Sequence, residues 1–191
     1  LERIFSLLDE PKGLEHIDSA YALKKGLVLA APHYGAWELL NLHLHKHGNA
    51  VVLFKPTRYP EIDELLQSKR SRSGAEMIPV TGAGLRQMFK SVKQGSSVSL
   101  LPDQEPTAGN GEFAPFFGVE ALTGVLLPRL ARRTGAPVIF SVCERLRGGR
   151  YRVHYIKPDD AIYSDDMREA LTAVNEAIER CIDVDPSQYL L

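Results

Sequence analysis

The sequence predicts an α/β fold: one layered domain over residues 1–191, with a mostly parallel central sheet, an antiparallel hairpin and flanking helices. Three observations carry this. Short apolar runs of strand length alternate with segments of helical periodicity. Several helical segments open on a capping residue or close on a glycine. Late in the chain two β-rich runs flank Arg-Gly-Gly-Arg, a hairpin signature.

Taken in order, GLVLAA (26–31) is an apolar run suited to a buried strand, and WELLNLHLHKHG after it is a helix with Trp37, Leu40 and Leu44 on one stripe and Gly48 as the stop. NAVVLFKP (49–56) is the second strand, EIDELLQSKRSR (61–72) a helix and EMIPV (76–80) the third strand. GAGLRQMFKSVKQG (82–95) is a glycine-closed helix, followed by the strand SSVSLLPD (96–103). QEPTAGNGEFAPFFG, dense in Gly and Pro, reads as a long loop leading to a helix over 123–135, capped by Thr123 and bent near its start by Pro128. APVIFSVCERL and RYRVHYIKP form the hairpin around 147–150, and Ser164 caps a last amphipathic helix over 165–182.

Bulk properties exclude several classes. Apolar residues make up 44% and charged residues 25%, as in ordinary globular proteins. A net charge of −1 does not mark a nucleic-acid binder. Cys143 and Cys181 offer neither paired zinc spacing nor a disulfide framework, so a reducing compartment is expected. No run approaches the roughly 18 apolar residues of a spanning helix. The chain starts without Met in the amphipathic LERIFSLLDE and stops at QYLL, so it reads as a piece of a longer protein.

APHYGAWELL (31–40) concentrates the chemistry. On one continuous helix, residues five apart point about 140° away from each other. His33 and Glu38 meet only if His33 lies in a turn after the strand and Glu38 in the first helical turn, a break that Pro32 and Gly35 favour. The pair then sits at the carboxyl end of a strand, where open α/β sheets bind ligands. A carboxylate on one ring nitrogen fixes the tautomer and supports the imidazolium, leaving the other nitrogen to take a proton. Spacing alone equally allows a strand-end histidine and a glutamate favoured by the helix dipole.

His33-Tyr34-Gly35-Ala36-Trp37-Glu38 resembles the His-x-Gly-Asn-Trp-Glu box of the late acyltransferases of lipid A biosynthesis, within the lysophospholipid acyltransferase-like superfamily. The resemblance continues through Arg70 and Arg72, Leu101-Pro102-Asp103-Gln104, Phe113-x-Pro-Phe116-Phe117-Gly118, Ala121-x-Thr123, Arg132-x-Thr134-Gly135-Ala136-Pro137-Val138 and Pro186-x-Gln188-Tyr189. These boxes span nearly the whole chain in order. Ala36 departs from the usual Asn, and the family's amino-terminal membrane helix and basic carboxyl tail are not in this sequence.

The resemblance implies a glycerolipid acyltransferase-like fold and transfer of an acyl chain from an acyl carrier protein thioester to a hydroxyl of a lipid A precursor. The place implied is the cytoplasmic face of a Gram-negative inner membrane. His33 is then the general base and Glu38 its orienting carboxylate. Arg70 and Arg72 suit phosphate, which a guanidinium meets bidentately. Asp103 and Gln104 are placed to order the arginines or the acceptor. Thr123 is a substrate-binding candidate, and Phe113, Phe116 and Phe117 line the acyl channel, touch lipid or pin their loop to the core. Arginines 129, 132, 133, 145, 147, 150 and 152 give the second half a basic face suited to an acidic carrier or an anionic membrane. Alternatives are a relative that acylates a phosphatidylinositol mannoside or a lysophospholipid, and a non-catalytic lipid-binding module.

No cofactor, metal or nucleic acid is expected. HLHLHKH lacks the Glu of a His-Glu-x-x-His metal site, so His43, His45 and His47 read as surface residues, although a metal hydrolase built on them is a further alternative. TGAGLRQ lacks both dinucleotide glycine spacing and a phosphate-loop Lys, and there is no Gly-x-Ser-x-Gly elbow.

Overall fold

The apolar runs at 26–31, 49–56, 76–80 and 96–103 all become parallel strands. The computed structural model describes residues 5–40, 50–54, 58–59, 61, 64 and 76–190. Within it β1 (Leu27–Ala30), β2 (Ala50–Phe54), β3 (Glu76–Pro79), β4 (Ser97–Leu100), β7 (Val138–Arg145) and β8 (Tyr151–Ile156) form a six-stranded sheet in the order β3-β2-β4-β1-β7-β8. All neighbours are parallel except β7 and β8, the expected hairpin. A second sheet pairs β5 (Gly111–Phe116) with β6 (Val119–Gly124).

Every residue of β1 and β4 is buried, as parallel strands covered on both faces must be. Alternate residues feed two cores. Leu27 and Leu29 join Ile139 and Cys143 against Ile17 and Ala20 of α1 (Leu14–Ala22). Val28, Ala30, Phe140 and Val142 face the other way. They meet Met88 and Val92 of α2 (Gly82–Lys93), Leu127 and Leu130 of α3 (Leu126–Thr134), and Val174 and Ile178 of α4 (Met167–Ile182). No described helix is long and apolar enough to cross a membrane.

Four local expectations are corrected. The loop expected over 104–118 contains β5, and Thr123, expected as a helix cap, lies in β6; α3 starts at Leu126 after Val125. Pro115 and the glycines hid this hairpin, because proline inside a run argues against a strand. Its two-residue turn, Phe117–Gly118, has both φ values positive, as a primed hairpin turn requires, but without the usual Asn-Gly signature. The last helix starts at Met167, capped by Asp166; Ser164 instead donates to Glu169 and accepts from the Asp166 amide. Helix α1 was not foreseen. The helix expected over 61–72 and the His43–His47 cluster lie almost wholly outside the described residues.

The hairpin is fastened to α4 by a buried amide. Asn175 Nδ2 donates to the Pro115 carbonyl at 2.9 Å, and the Asn175 side chain also bonds the Thr123 hydroxyl. Thr123 is only 6% exposed, and its hydroxyl takes part in this anchor. Asn175→Ala would leave buried polar groups unpaired and is expected to cost about 1–3 kcal/mol. In a chain of this size that is a fall in Tm of roughly 2–4 °C per kcal/mol. An unchanged melting temperature would show that the anchor contributes nothing.

Candidate active site

The site begins with strand register. Ala30 at the end of β1 pairs with Leu100 at the end of β4, and His33 and Asp103 each follow three residues later. Two adjacent strands therefore deliver the two side chains to one place, at the carboxyl edge of the sheet. Asp103 Oδ2 accepts from the His33 backbone N–H at 2.7 Å, and Oδ1 lies 2.9 Å from His33 Nδ1. The Asp103 side chain is 1% exposed and that of His33 is 18% exposed.

This geometry sets the tautomer. A carboxylate with two N–H-type neighbours is an acceptor to both, so Nδ1 carries the proton and Nε2 holds the lone pair. Nε2 points to the more exposed side, where Gln104 Nε2 lies 3.3 Å away and donates to it. The Trp37 ring packs edge-on against the imidazole, centroids 5.4 Å apart, and limits its rotation. The arrangement suits a base that is oriented from behind and open in front.

The motif spacing nominated Glu38 for the place on Nδ1; the structure puts Asp103 there. Glu38 is exposed, in the first turn of the helix that starts at 38, so the turn-then-helix break expected between His33 and Glu38 is present. The sequence named Asp103 for ordering arginines or the acceptor and missed this contact. Its signal is a pair of Asp and His at equal offsets from strand ends, which becomes visible only once β1 and β4 are known to be neighbours.

The break depends on Gly35. Its φ is +53°, and a Cβ there would stand 2.3 Å from the Cys143 carbonyl oxygen. The approach is tight because Ala36 N–H donates to that same oxygen at 2.8 Å, tying the loop to β7. Gly35→Ala is expected to cost about 1–3 kcal/mol in backbone strain alone, measured by denaturant unfolding. A variant as stable as the parent would overturn this account of the loop.

Other predicted residues are placed elsewhere. Phe113 and Phe117 are largely exposed on the β5–β6 hairpin, and Phe116 stacks edge-on to Phe117 while packing on the core. Arg70 and Arg72 lie outside the described residues. Part of the expected basic face is internally paired: Arg132 with Asp165, and Arg150 and Arg152 with Asp9.

The chain matches the model of the family described as bacterial lipid A biosynthesis acyltransferase over residues 3–191. It is 30% identical to the lipid A biosynthesis lauroyltransferase of Escherichia coli (strain K12), over 93% of this chain and 58% of that protein. It is 31% identical to a lipid A biosynthesis acyltransferase of Haemophilus influenzae, over 93% of this chain and 56% of that one. A phosphatidylinositol mannoside acyltransferase of Mycobacterium tuberculosis is 29% identical over 69% of this chain and 42% of its own length. The chain thus spans little more than half of the lipid A relatives it matches.

Proposed function

The chain belongs to the bacterial lipid A biosynthesis acyltransferase family, and on that premise we propose that residues 1–191 are the acyltransferase domain of an enzyme that moves a fatty acyl chain from an acyl carrier protein thioester to a hydroxyl of a lipid A precursor. The observation that carries the reading is the His33–Asp103 pair, with Nε2 open at the carboxyl edge of the sheet. The acceptor lipid places the reaction at the cytoplasmic face of the inner membrane.

The chemistry follows from the tautomer. The acceptor hydroxyl displaces Gln104 and donates to Nε2. As its oxygen attacks the thioester carbonyl, the proton moves to Nε2, and Asp103 stabilises the imidazolium. The tetrahedral intermediate collapses, the C–S bond breaks, and the carrier thiol leaves with the proton from Nε2. A thiol is a far better leaving group than an alcohol, so a weak acid suffices. Glu38 belongs to the same site through its place in the His-x4-Glu box, adding negative charge near the imidazolium. Arg70 and Arg72 bind phosphate of the acceptor or carrier, and Phe113, Phe116 and Phe117 take up the acyl chain or lipid.

A second reading, acylation of a different glycolipid such as a phosphatidylinositol mannoside, is favoured by the mannoside acyltransferase relative. One experiment separates them. The full-length protein is incubated with an acyl-carrier-protein thioester and either lipid A precursor or phosphatidylinositol mannoside, and products are read by mass spectrometry. A mass gain of one acyl group on the lipid A precursor alone is the expected result. Gain on the mannoside alone would replace the first reading with the second, and gain on neither would reject both.

A further inference from the structure

Helices α2 and α3 are neighbours on one face of the sheet and carry charge of one sign. Neither contains an Asp or Glu, so all 24 acidic residues of the chain lie elsewhere. Helix α2 carries Arg86, Lys90 and Lys93, and α3 carries Arg129, Arg132 and Arg133, all of them exposed. In α2 the three cations stand at i, i+4 and i+7, one stripe of the helix; in α3 Arg129 and Arg133 stand at i and i+4. The stripes adjoin, because the Arg133 guanidinium lies over the Phe89 ring, 5.9 Å from its centroid, and Phe89 belongs to the stripe of Arg86 and Lys93.

Little inside the fold accounts for this ridge. Asp165 takes Arg132, and Glu76 accepts from the Gln87 amide at 2.6 Å. Among the described residues no carboxylate pairs with Arg86, Lys90, Lys93, Arg129 or Arg133. Like charges at i and i+4 repel, so Arg86 with Lys90, and Arg129 with Arg133, weaken their own helices. The helix dipoles favour Lys90, Lys93 and Arg133 in the last turns. They disfavour Arg129 in the first turn of α3 and do nothing for Arg86 in mid-helix.

The ridge begins at the edge of the sheet that holds His33. Helix α2 leaves the carboxyl end of β3 and returns to the parallel β4, and α3 leads into β7, parallel to β1. Both helices therefore start near the carboxyl edge, with Arg86 and Arg129 toward it and Lys90, Lys93 and Arg133 farther away. Positive charge attracts both an anionic membrane and an acidic protein. A helix lying in a membrane interface turns apolar residues to the lipid. Here Leu85, Phe89 and Leu126 pack on the core, and no exposed large apolar residue among the described ones belongs to α2 or α3. A face with charge but no exposed apolar anchor suits a soluble acidic partner steered by complementary potential. Arg150 and Arg152, at the β8 edge, are held by Asp9 and stand apart from this face.

We propose that the α2–α3 face is the docking surface for the acyl carrier protein: its acidic side lies along Arg86, Lys90, Lys93, Arg129 and Arg133 and brings the thioester to the carboxyl edge of the sheet. This rests on the reading of a carrier thioester as the acyl donor. The test uses the full-length protein in phosphatidylcholine vesicles with the lipid acceptor, and varies the concentration of acyl-carrier-protein thioester. In the double variant Arg86→Glu/Arg129→Glu each attraction becomes a repulsion. KM for the carrier should rise about 10-fold with kcat at saturation nearly unchanged. The neutral double variant Arg86→Gln/Arg129→Gln keeps helix-forming side chains and should raise KM by about 3-fold. Lys25→Glu makes the same charge change in the turn after α1, which packs on the opposite face of the sheet, and should leave KM as in the parent.

Salt gives a second readout. Raising ionic strength should raise the parent's KM and narrow its difference from the glutamate variant, because exposed charges are screened. The outcomes separate cleanly. A parent that uses the carrier, beside double variants with unraised KM, would overturn the docking surface and leave the donor reading standing. A fall in kcat at unchanged KM, in variants that melt like the parent, overturns it as well. If the variants lose activity only when phosphatidylglycerol is added to the vesicles, with KM for the carrier unmoved, the face is a membrane contact and the proposal fails. A parent that transfers nothing from the carrier thioester sinks the donor reading, and the docking surface with it.

Discussion

His33→Ala should reduce acyl transfer by about 10²–10⁴-fold, the usual worth of a positioned general base. Nε2 combines an accepting lone pair, met at 3.3 Å by the Gln104 amide that the acceptor would displace, with partial exposure and a fixed orientation from behind. Alanine removes the proton acceptor and leaves Asp103 with its backbone partner, so the fold should persist. Raising the pH should not restore the rate, because hydroxide is not held where the imidazole is. The measurement is single-turnover transfer beside a thermal melt. A folded variant with near-normal turnover would end the acyltransferase mechanism drawn from this site.

Much of the architecture was legible in the sequence because parallel strands buried on both faces are written as unbroken apolar runs. GLVLAA and SSVSLL announced themselves in this way, and Gly95 and Gly135 closed their helices. The β5–β6 hairpin was not legible, since its turn uses Phe117–Gly118 and its first strand contains Pro115. Local signals for loop outweighed a pairing that depends on Asn175, a residue more than fifty positions away.

The site divided along the same line. His33 and the break at Gly35 could be read from a single short stretch, because they depend on neighbours in sequence. The carboxylate on Nδ1 could not, because β1 and β4 are adjacent in the sheet but not in the chain. Helix spacing therefore nominated Glu38, whereas strand register delivered Asp103. Pro186-x-Gln188-Tyr189 was visible as a family box, but nothing in its own sequence announced that Gly35 N–H would donate to the Gln188 carbonyl and Leu190 N–H to the His33 carbonyl.

That division sets up the second large effect, a comparison of Asp103→Asn with Glu38→Gln. Asp103 accepts from two donors, the His33 backbone N–H at 2.7 Å and Nδ1 at 2.9 Å. Asparagine has one acceptor oxygen and one NH₂ group. The backbone N–H can only donate, so the asparagine oxygen should turn to it and the NH₂ should face Nδ1. Nδ1 must then become the acceptor, and the ring proton moves to Nε2, the atom that has to take the substrate proton. A wrong tautomer of this kind lowers turnover about 10⁴-fold in the hydrolase triad where it has been measured, and a loss of about 10³–10⁴-fold is expected here. Glu38→Gln leaves the Asp103 contacts in place, so its loss should be smaller, about 10²-fold. Nitrogen-15 NMR of the histidines distinguishes the two directly: the protonated nitrogen of His33 should switch in Asp103→Asn and stay on Nδ1 in Glu38→Gln. The reverse pattern, an active Asp103→Asn enzyme with an unchanged tautomer beside an inactive Glu38→Gln enzyme, would return the orienting role to Glu38 and make the Asp103 contact a loop-stabilising one.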